Sequence, residues 1–219
     1  MTAHHEHKYV PALGLHSLTR FYDPLLALTM REKAIKGRLV EQARIAPGHD
    51  VLDVGCGTGT LALLIKAREP RARVVGLDGD PGVLAIARRK IAAARVEVTL
   101  REGLADSDSV FPAESFDRIV TSFVLHHLAT DEKLRAFRAM RRWLRPGGRL
   151  DLLDFGPRDG SALGFVSRVF GMLHGGEILS DNLAGKLPEL MREAGFADVR
   201  ETGRAFTVFG SVSYYEGAR

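Results

Sequence analysis

Apolar residues in this chain fall into short continuous runs separated by segments where they recur every third or fourth position. The runs are 50–54 (DVLDV), 73–78 (RVVGLD), 95–100, 116–121 (FDRIVT) and 149–155 (RLDLLDF). Each is short enough to be a buried strand. Between them, 58–68, 80–93 and 131–144 carry helical spacing, with Leu134, Phe137, Met140 and Leu144 along one side of the last. Asp80-Pro81 supplies an N-cap followed by proline at the first helical position. Upstream, a helix after Pro24 carries Ile35, Leu39, Val40 and Ala43, and Pro47-Gly48 ends it. Strands alternating with helices through short turns predict an α/β, doubly wound, parallel sheet covered on both faces. Downstream, 157–183 mixes Gly160, Gly164, Gly171, Gly175 and Gly176 with apolar residues and has no clean period. It reads as a short helix and a lid-like loop. A helix is expected at 184–194, then β-like runs at 197–203 and 205–214 split by a turn at Arg204. Runs this close must pair as an antiparallel hairpin.

Composition narrows the classes. The 219 residues are 45% hydrophobic and 26% charged, an ordinary globular balance. No apolar run is long enough to span a bilayer, and MTAHHEHKYV lacks an apolar signal core, so the expectation is a soluble, cytoplasmic protein without stable membrane insertion. One cysteine excludes an intrachain disulfide and a multi-cysteine metal site. His4, His5 and His7 read as a solvated tail, and no metal is expected. The formal charge of +4 does not demand a nucleic-acid partner.

Candidate chemistry concentrates in Asp53-Val54-Gly55-Cys56-Gly57-Thr58-Gly59-Thr60. Glycines directly after a first strand allow a tight turn and close ligand approach. The spacing is G-x-G-x-G, with Thr60 where a dinucleotide fingerprint has its third glycine. No Gly-Lys-Ser/Thr follows, which excludes a Walker loop. Asp53, two residues before the first glycine, would repel a pyrophosphate and suits an amino group. Asp78, ending the second strand, is placed to accept hydrogen bonds from ribose hydroxyls. The ligand implied has a ribose, a cation and no phosphate, a description that S-adenosylmethionine fits. Cys56 reads as a small loop residue rather than a nucleophile.

These segments resemble a class I S-adenosylmethionine-dependent methyltransferase of the ubiquinone/menaquinone-biosynthesis type. VLDVGCGTG is similar to that family's first motif, VVGLDGDPGVLAIARRK to its second, FDRIVTSFVLHHL to its fourth-strand motif and LRPGGRLDLLDF to its fifth. The resemblance covers about 50–155. It implies a Rossmann-like seven-stranded sheet of order 3-2-1-4-5-7-6 with strand 7 antiparallel. Residues 1–46 are then an N-terminal arm and helical cap, 47–219 the methyltransferase domain, and 157–183 its lid. The resemblance further implies that Gly55, Gly57 and Gly59 line the methionine portion, that Asp53 supports its amino end, and that Asp78 and Gly79 serve the ribose. Ser122 and Phe123 would lie near the sulfonium, and Tyr22, in FYDP, would close over the cofactor. His16, in the same segment, reads as an exposed polar residue. The family usually has an acid-alanine pair after the third strand. Here Glu102-Gly103-Leu104-Ala105-Asp106 stands, with Leu104 in the acid's place. Adenine is expected against Leu104 and Ala105, or read by Asp106.

Methyl transfer from a sulfonium needs in-line alignment and exclusion of water, and a base only where the acceptor carries a proton that must leave. His126 and His127 are the base candidates, with His127 expected to line the pocket. Asp154 is expected either to touch substrate or to N-cap the segment after it. Phe165, Phe170, Met172, Leu173 and His174 would wall an apolar acceptor pocket, and Glu177 and Asp181 would face water. The expected activity is methylation of a small molecule, aromatic or lipid-like, with a homodimer possible and no nucleic-acid partner. The alternatives are a nucleic-acid or protein methyltransferase, a non-catalytic S-adenosylmethionine-binding protein, and a nicotinamide dehydrogenase, which Asp53 and Thr60 disfavour.

Overall fold

A computed structural model describes residues 32–107, 109–157, 179–207 and 210–219. The five apolar runs are strands β1 (Asp50–Val54), β2 (Arg73–Asp78), β3 (Val98–Glu102), β4 (Phe116–Ser122) and β5 (Leu144–Phe155). The helices are α1 (Glu32–Gln42), α2 (Thr60–Arg68), α3 (Pro81–Ala94) and α4 (Thr130–Trp143), with a 3-10 turn at Leu125–His127. Short helices α5 (Ser180–Leu183) and α6 (Leu187–Glu193) precede β6 (Ala197–Thr207) and β7 (Gly210–Ala218). The seven strands form one sheet of order β3-β2-β1-β4-β5-β7-β6. β1 pairs in parallel with β2 and β4, and β7 runs antiparallel to β5 and β6, as the sequence predicts.

Strand alternation divides the core in two. Leu52, Val54, Ile119, Leu150 and Leu152 face α4 and α6, where Phe137, Met140, Trp143, Leu187 and Met191 are buried. Val51, Val120, Leu153 and Phe155 face α1 and α2, where Leu39, Val40, Leu61 and Ile65 are buried. Both faces are covered, so the strands are apolar on both sides. Phe111 packs edge-on to Phe116 at 5.0 Å and to Trp143 at 5.4 Å, closing one end of the first core. Among the described residues no helix is long and apolar enough to cross a membrane.

Several local expectations shift. Asp80 caps α3 as predicted, accepting from the Gly82 amide at 2.7 Å. The helix ends in a left-handed Arg95, so β3 begins at Val98 rather than at 95. β5 starts at Leu144 and passes through Pro146-Gly147-Gly148. Its pairing with β4 jumps from Phe116–Leu144 to Arg118–Arg149, so the strand begins earlier than the run at 149–155 and the prolyl-glycyl segment is an irregularity within it. The helix expected at 184–194 is two short ones, because Gly185 adopts φ 74 between them. The hairpin exists, but Arg204 lies inside β6, paired with Ser213. The charge is tolerated there because β6 is the sheet edge, where Arg204 reaches solvent and pairs with Glu201. The N-terminal arm with Tyr22 and His16, and all of the lid between Pro157 and Leu179, lie outside the described residues.

Candidate active site

The strand order reverses at β1, with β2 and β3 on one side and β4 and β5 on the other. In open α/β sheets this opens a crevice at the carboxyl ends of the two middle strands. Of the predicted residues, Asp53, the three glycines, Asp78, Ser122 and Phe123 lie at or just past the carboxyl ends of β1, β2 and β4, and Tyr22 is outside the described residues.

Gly55, Gly57 and Gly59 have φ of 66, 53 and 79, all left-handed. The loop is tied to the end of β2: the Cys56 amide donates to the Leu77 carbonyl at 2.9 Å, and the Gly57 amide to Asp78 Oδ2 at 2.8 Å. A Cβ at Gly55 would lie 2.1 Å from Val124 Cγ2, so the glycine loop and the turn after β4 are in contact. A Cβ at Gly57 would meet nothing within 4 Å. Cys56 is buried, and its Sγ fills the space over Gly76. Burial pushes its thiol up, and the Asp53 and Asp78 charges push further. It is a neutral filler and not a nucleophile.

Asp53 is fully buried on the α1 side of the sheet, and neither carboxylate oxygen has a hydrogen-bond partner. Burial pushes its carboxyl up to about 7. The Lys36 charge on α1 and the nearby Ala62 amide partly offset this, and the Asp78 charge adds to it. Asp78 is held differently: Oδ2 accepts from Gly57 and Oδ1 from Asp80 at 2.9 Å. Burial still raises it, against the amides of Asp80, Gly57 and Gly79. A carboxylate has about four acceptor positions, so these amides leave capacity for a ligand hydroxyl. The Gly103 amide donates to the Asp78 carbonyl at 3.0 Å and brings Leu104 to this rim, 42% exposed. Ala105 beside it is partly buried. Asp106 is engaged by Arg135 at 3.3 Å, which leaves the apolar Leu104 as the free surface for a flat ring.

Across the crevice, Ser122 is buried at the end of β4, and Phe123 adopts φ 59. A bulky residue in that region stores strain, which clusters at functional sites. Its ring lies 5.7 Å from that of Phe155. The turn that follows is organised by Asp154, which is fully buried at the end of β5. Asp154 Oδ2 accepts from the amides of Val124, Leu125 and His126 at 3.2, 2.8 and 3.4 Å. Oδ1 accepts from the Phe155 amide at 2.8 Å and faces His126 Nδ1 at 2.8 Å. Burial acts to raise this carboxyl, but His126 and the amides outweigh it and hold it below the usual value. Asp154 therefore caps the turn after β4, and the segment that follows it in sequence lies outside the described residues from position 158 on. His127 is exposed, and its ring lies against that of His126 with centroids 3.9 Å apart and planes tilted by 42°.

Sequence reasoning missed a buried polar cluster behind this turn. Lys133 is fully buried in α4 with Nζ 3.3 Å from Asp181 Oδ2, and Thr130 Oγ1 donates to the same oxygen at 2.6 Å. Asp181, expected to face water, is 2% exposed, because Lys133 and Lys186 neutralise it. The neighbouring Asn182 is fully buried with neither side-chain polar atom hydrogen-bonded. Lys133 falls on the same stripe as Phe137 and Met140, the one signal that could have found it. Among the described residues no group of three or more His, Cys, Asp or Glu could hold a metal.

Sheet order, glycine loop and paired acids define a class I methyltransferase fold, and residues 51–148 match the family model described as a methyltransferase domain. Over 134 residues the chain is 45% identical to a demethylmenaquinone methyltransferase of Thermus thermophilus, covering 61% of this chain and 59% of that protein. It is 29% identical over 197 residues to the ubiquinone/menaquinone biosynthesis C-methyltransferase UbiE of Syntrophotalea carbinolica, covering 82% and 81%. The fold is also that of phosphoethanolamine N-methyltransferase 2 of Haemonchus contortus, solved with S-adenosyl-L-methionine. That match has a TM-score of 0.74 at 16% identity and covers 95% of this chain and 58% of that one. The fold is thus that of the class I S-adenosylmethionine-dependent methyltransferases, and in sequence the chain is similar to relatives named for ubiquinone/menaquinone biosynthesis. It spans about half the length of the first curated relatives it matches, 59% and 48%.

Proposed function

We propose that this protein is an enzyme transferring a methyl group from S-adenosylmethionine to a small hydroxylated aromatic acceptor of the quinol kind. The observation that carries the cofactor half is Asp53: a fully buried carboxylate with no partner, on the strand that leads into the glycine loop. An isolated buried charge is costly, and a ligand ammonium nearby would relieve it. A dinucleotide brings a diphosphate instead, which Asp53 and Asp78 together would repel. When bound, the cofactor supplies a methyl group on a sulfonium.

The chain's own residues do the rest. Gly55, Gly57 and Gly59 bring backbone against the methionine portion, and Asp53 faces its amino end. Asp78 and Gly79 hold the ribose diol, with Leu104 and Ala105 against the adenine. Ser122 and Phe123 lie toward the methyl end, where a ring face and backbone carbonyls favour spreading positive charge. Tyr22 and the lid would close over both ligands and exclude water. The quinol class for the acceptor is drawn from the relatives named for demethylmenaquinone and ubiquinone/menaquinone. Action in the cytoplasm and assembly as a homodimer belong to the same reading.

The test is calorimetry followed by turnover. S-Adenosylhomocysteine is expected to bind with micromolar affinity and NAD not at all. A reduced demethylated naphthoquinone is expected to gain one methyl on carbon, read by mass. No binding of S-adenosylhomocysteine would sink the proposal. Binding without transfer to any quinol or phenol would leave a cofactor-binding protein.

A further inference from the structure

We infer that His126, aimed by Asp154, is the base that takes a proton from an acidic hydroxyl on the methyl acceptor. This rests on the methyltransferase reading above and names the group that prepares its second substrate.

The argument starts from what Asp154 needs. Its two oxygens already accept four backbone amides, from Val124, Leu125, His126 and Phe155. An ionised carboxylate with that many donors is satisfied without a side chain. The imidazole is thus an addition, and the carboxylate orients the histidine rather than the reverse. Surrounded by donors, Asp154 holds no proton of its own to give. The 2.8 Å contact must then be a donation from His126 Nδ1–H, which leaves the lone pair on Nε2. The ring is fixed on two further sides: Phe155 meets it edge-on at 4.9 Å, and the His127 ring packs against it at 3.9 Å, tilted by 42°. The His126 side chain retains 14% exposure, against 1% for Asp154. A buried, oriented acid behind a slightly accessible imidazole is the arrangement that general-base chemistry requires.

Position agrees with the role. The turn follows directly on Ser122 and Phe123, and through Val124 it touches Gly55 of the glycine loop. The base therefore belongs to the same crevice as the cofactor cradle. Among the described residues the charged and titratable groups facing this pair are His127 on its own turn, Lys133 from α4 and Tyr215 from β7. Asp181 of α5 neutralises Lys133.

In the step itself the acceptor O–H bond breaks, its proton bonds to His126 Nε2, and the electron pair stays on oxygen. That negative charge raises the nucleophilicity of the ring. Asp154 stays ionised and stabilises the imidazolium, which later releases the proton to water. The acceptor must carry a hydroxyl acidic enough for imidazole to take, as phenols, naphthols and quinols do and aliphatic alcohols do not.

The experiment reads proton transfer without turnover. The full chain, saturated with S-adenosylhomocysteine, is titrated with a nitronaphthol whose anion is coloured. The wild-type protein is expected to bind it as the anion at a pH where free probe is neutral. His126→Gln is expected to cut the bound anion fraction roughly tenfold or more, while S-adenosylhomocysteine affinity stays within about twofold. His126→Gly should regain the anion band on addition of free imidazole, which a merely structural histidine would not do. In turnover with a quinol, His126→Gln should lower kcat by about 100-fold and remove the acidic limb of the pH profile. An unchanged anion fraction in His126→Gln, or loss of it in His127→Gln alone, overturns the assignment and leaves the methyltransferase reading standing. Failure of the wild-type protein to bind S-adenosylhomocysteine overturns both.

Discussion

Asp53 and Asp154 end or nearly end neighbouring regions of one sheet edge, and both are fully buried. Their environments are opposite. Asp53 has no hydrogen-bond partner and its carboxyl is pushed up to about 7. Asp154 takes four amides and an imidazole and is held below the ordinary range. One half of the rim is built incomplete and the other complete. An unsatisfied carboxylate persists only where something outside the chain repays it, while a saturated one is there to hold its neighbours in place.

The largest expected effect falls on the complete half. Asp154→Ala strands the Leu125 and Phe155 amides and the His126 ring, and should lower unfolding free energy by about 3 kcal/mol or more, measured by urea titration. A loss below about 1 kcal/mol would mean that the turn holds itself.

Next comes Asp53→Asn. Without the charge the buried site is cheaper, so the ligand-free variant should be more stable than wild type at pH 8. Its S-adenosylhomocysteine affinity should fall by about 1–3 kcal/mol, read by calorimetry. Equal affinity would remove Asp53 from the ligand site.

The same contrast has a pH signature. Asp53 has a folded pKa of about 7 against 3.8 when unfolded. Its native form binds the proton more tightly, so its contribution to stability is full below about pH 4 and is lost as pH rises through 7. Asp154 is depressed, so its contribution is present above pH 4 and is lost as pH falls through its folded value. Thermal melts of the ligand-free protein should therefore decline between pH 5 and 8 in wild type and less so in Asp53→Asn. Stabilisation by S-adenosylhomocysteine should be larger at pH 8 than at pH 6. A flat difference between the two proteins would contradict the shift assigned to Asp53.

The smallest effect is at Asn182, whose buried amide has no partner. Asn182→Leu should be neutral or stabilising by up to about 1 kcal/mol in denaturant titration. A clear loss of stability would show that the amide is satisfied in solution.

The incomplete half was the legible half. Gly55, Gly57, Gly59, Asp53 and Asp78 stand close in sequence, and their spacing after a strand carries the meaning by itself. The parallel strands were equally plain, because burial on both faces leaves continuous apolar runs. The complete half was hidden. Asp154 is 28 residues from His126, and nothing local says that its oxygens reach back to the turn after β4. Both histidines look alike in Leu125-His126-His127-Leu128. Only the fold shows that the first is anchored by Asp154 and the second exposed. Asp181 looked solvent-facing because its partner Lys133 lies 48 residues away. The hairpin was misplaced for a related reason: Arg204 reads as a break only if one does not know that its strand is an edge.

The contact of Val124 with the bare α-carbon of Gly55 has a wider consequence. The loop that would grip one reactant and the turn that would meet the other are cogged together through a single missing methyl group. A side chain at position 55 would do more than crowd an amino-acid tail: it would press on Val124, two residues before the anchored histidine, so that damage on one bank of the cleft is felt on the opposite bank.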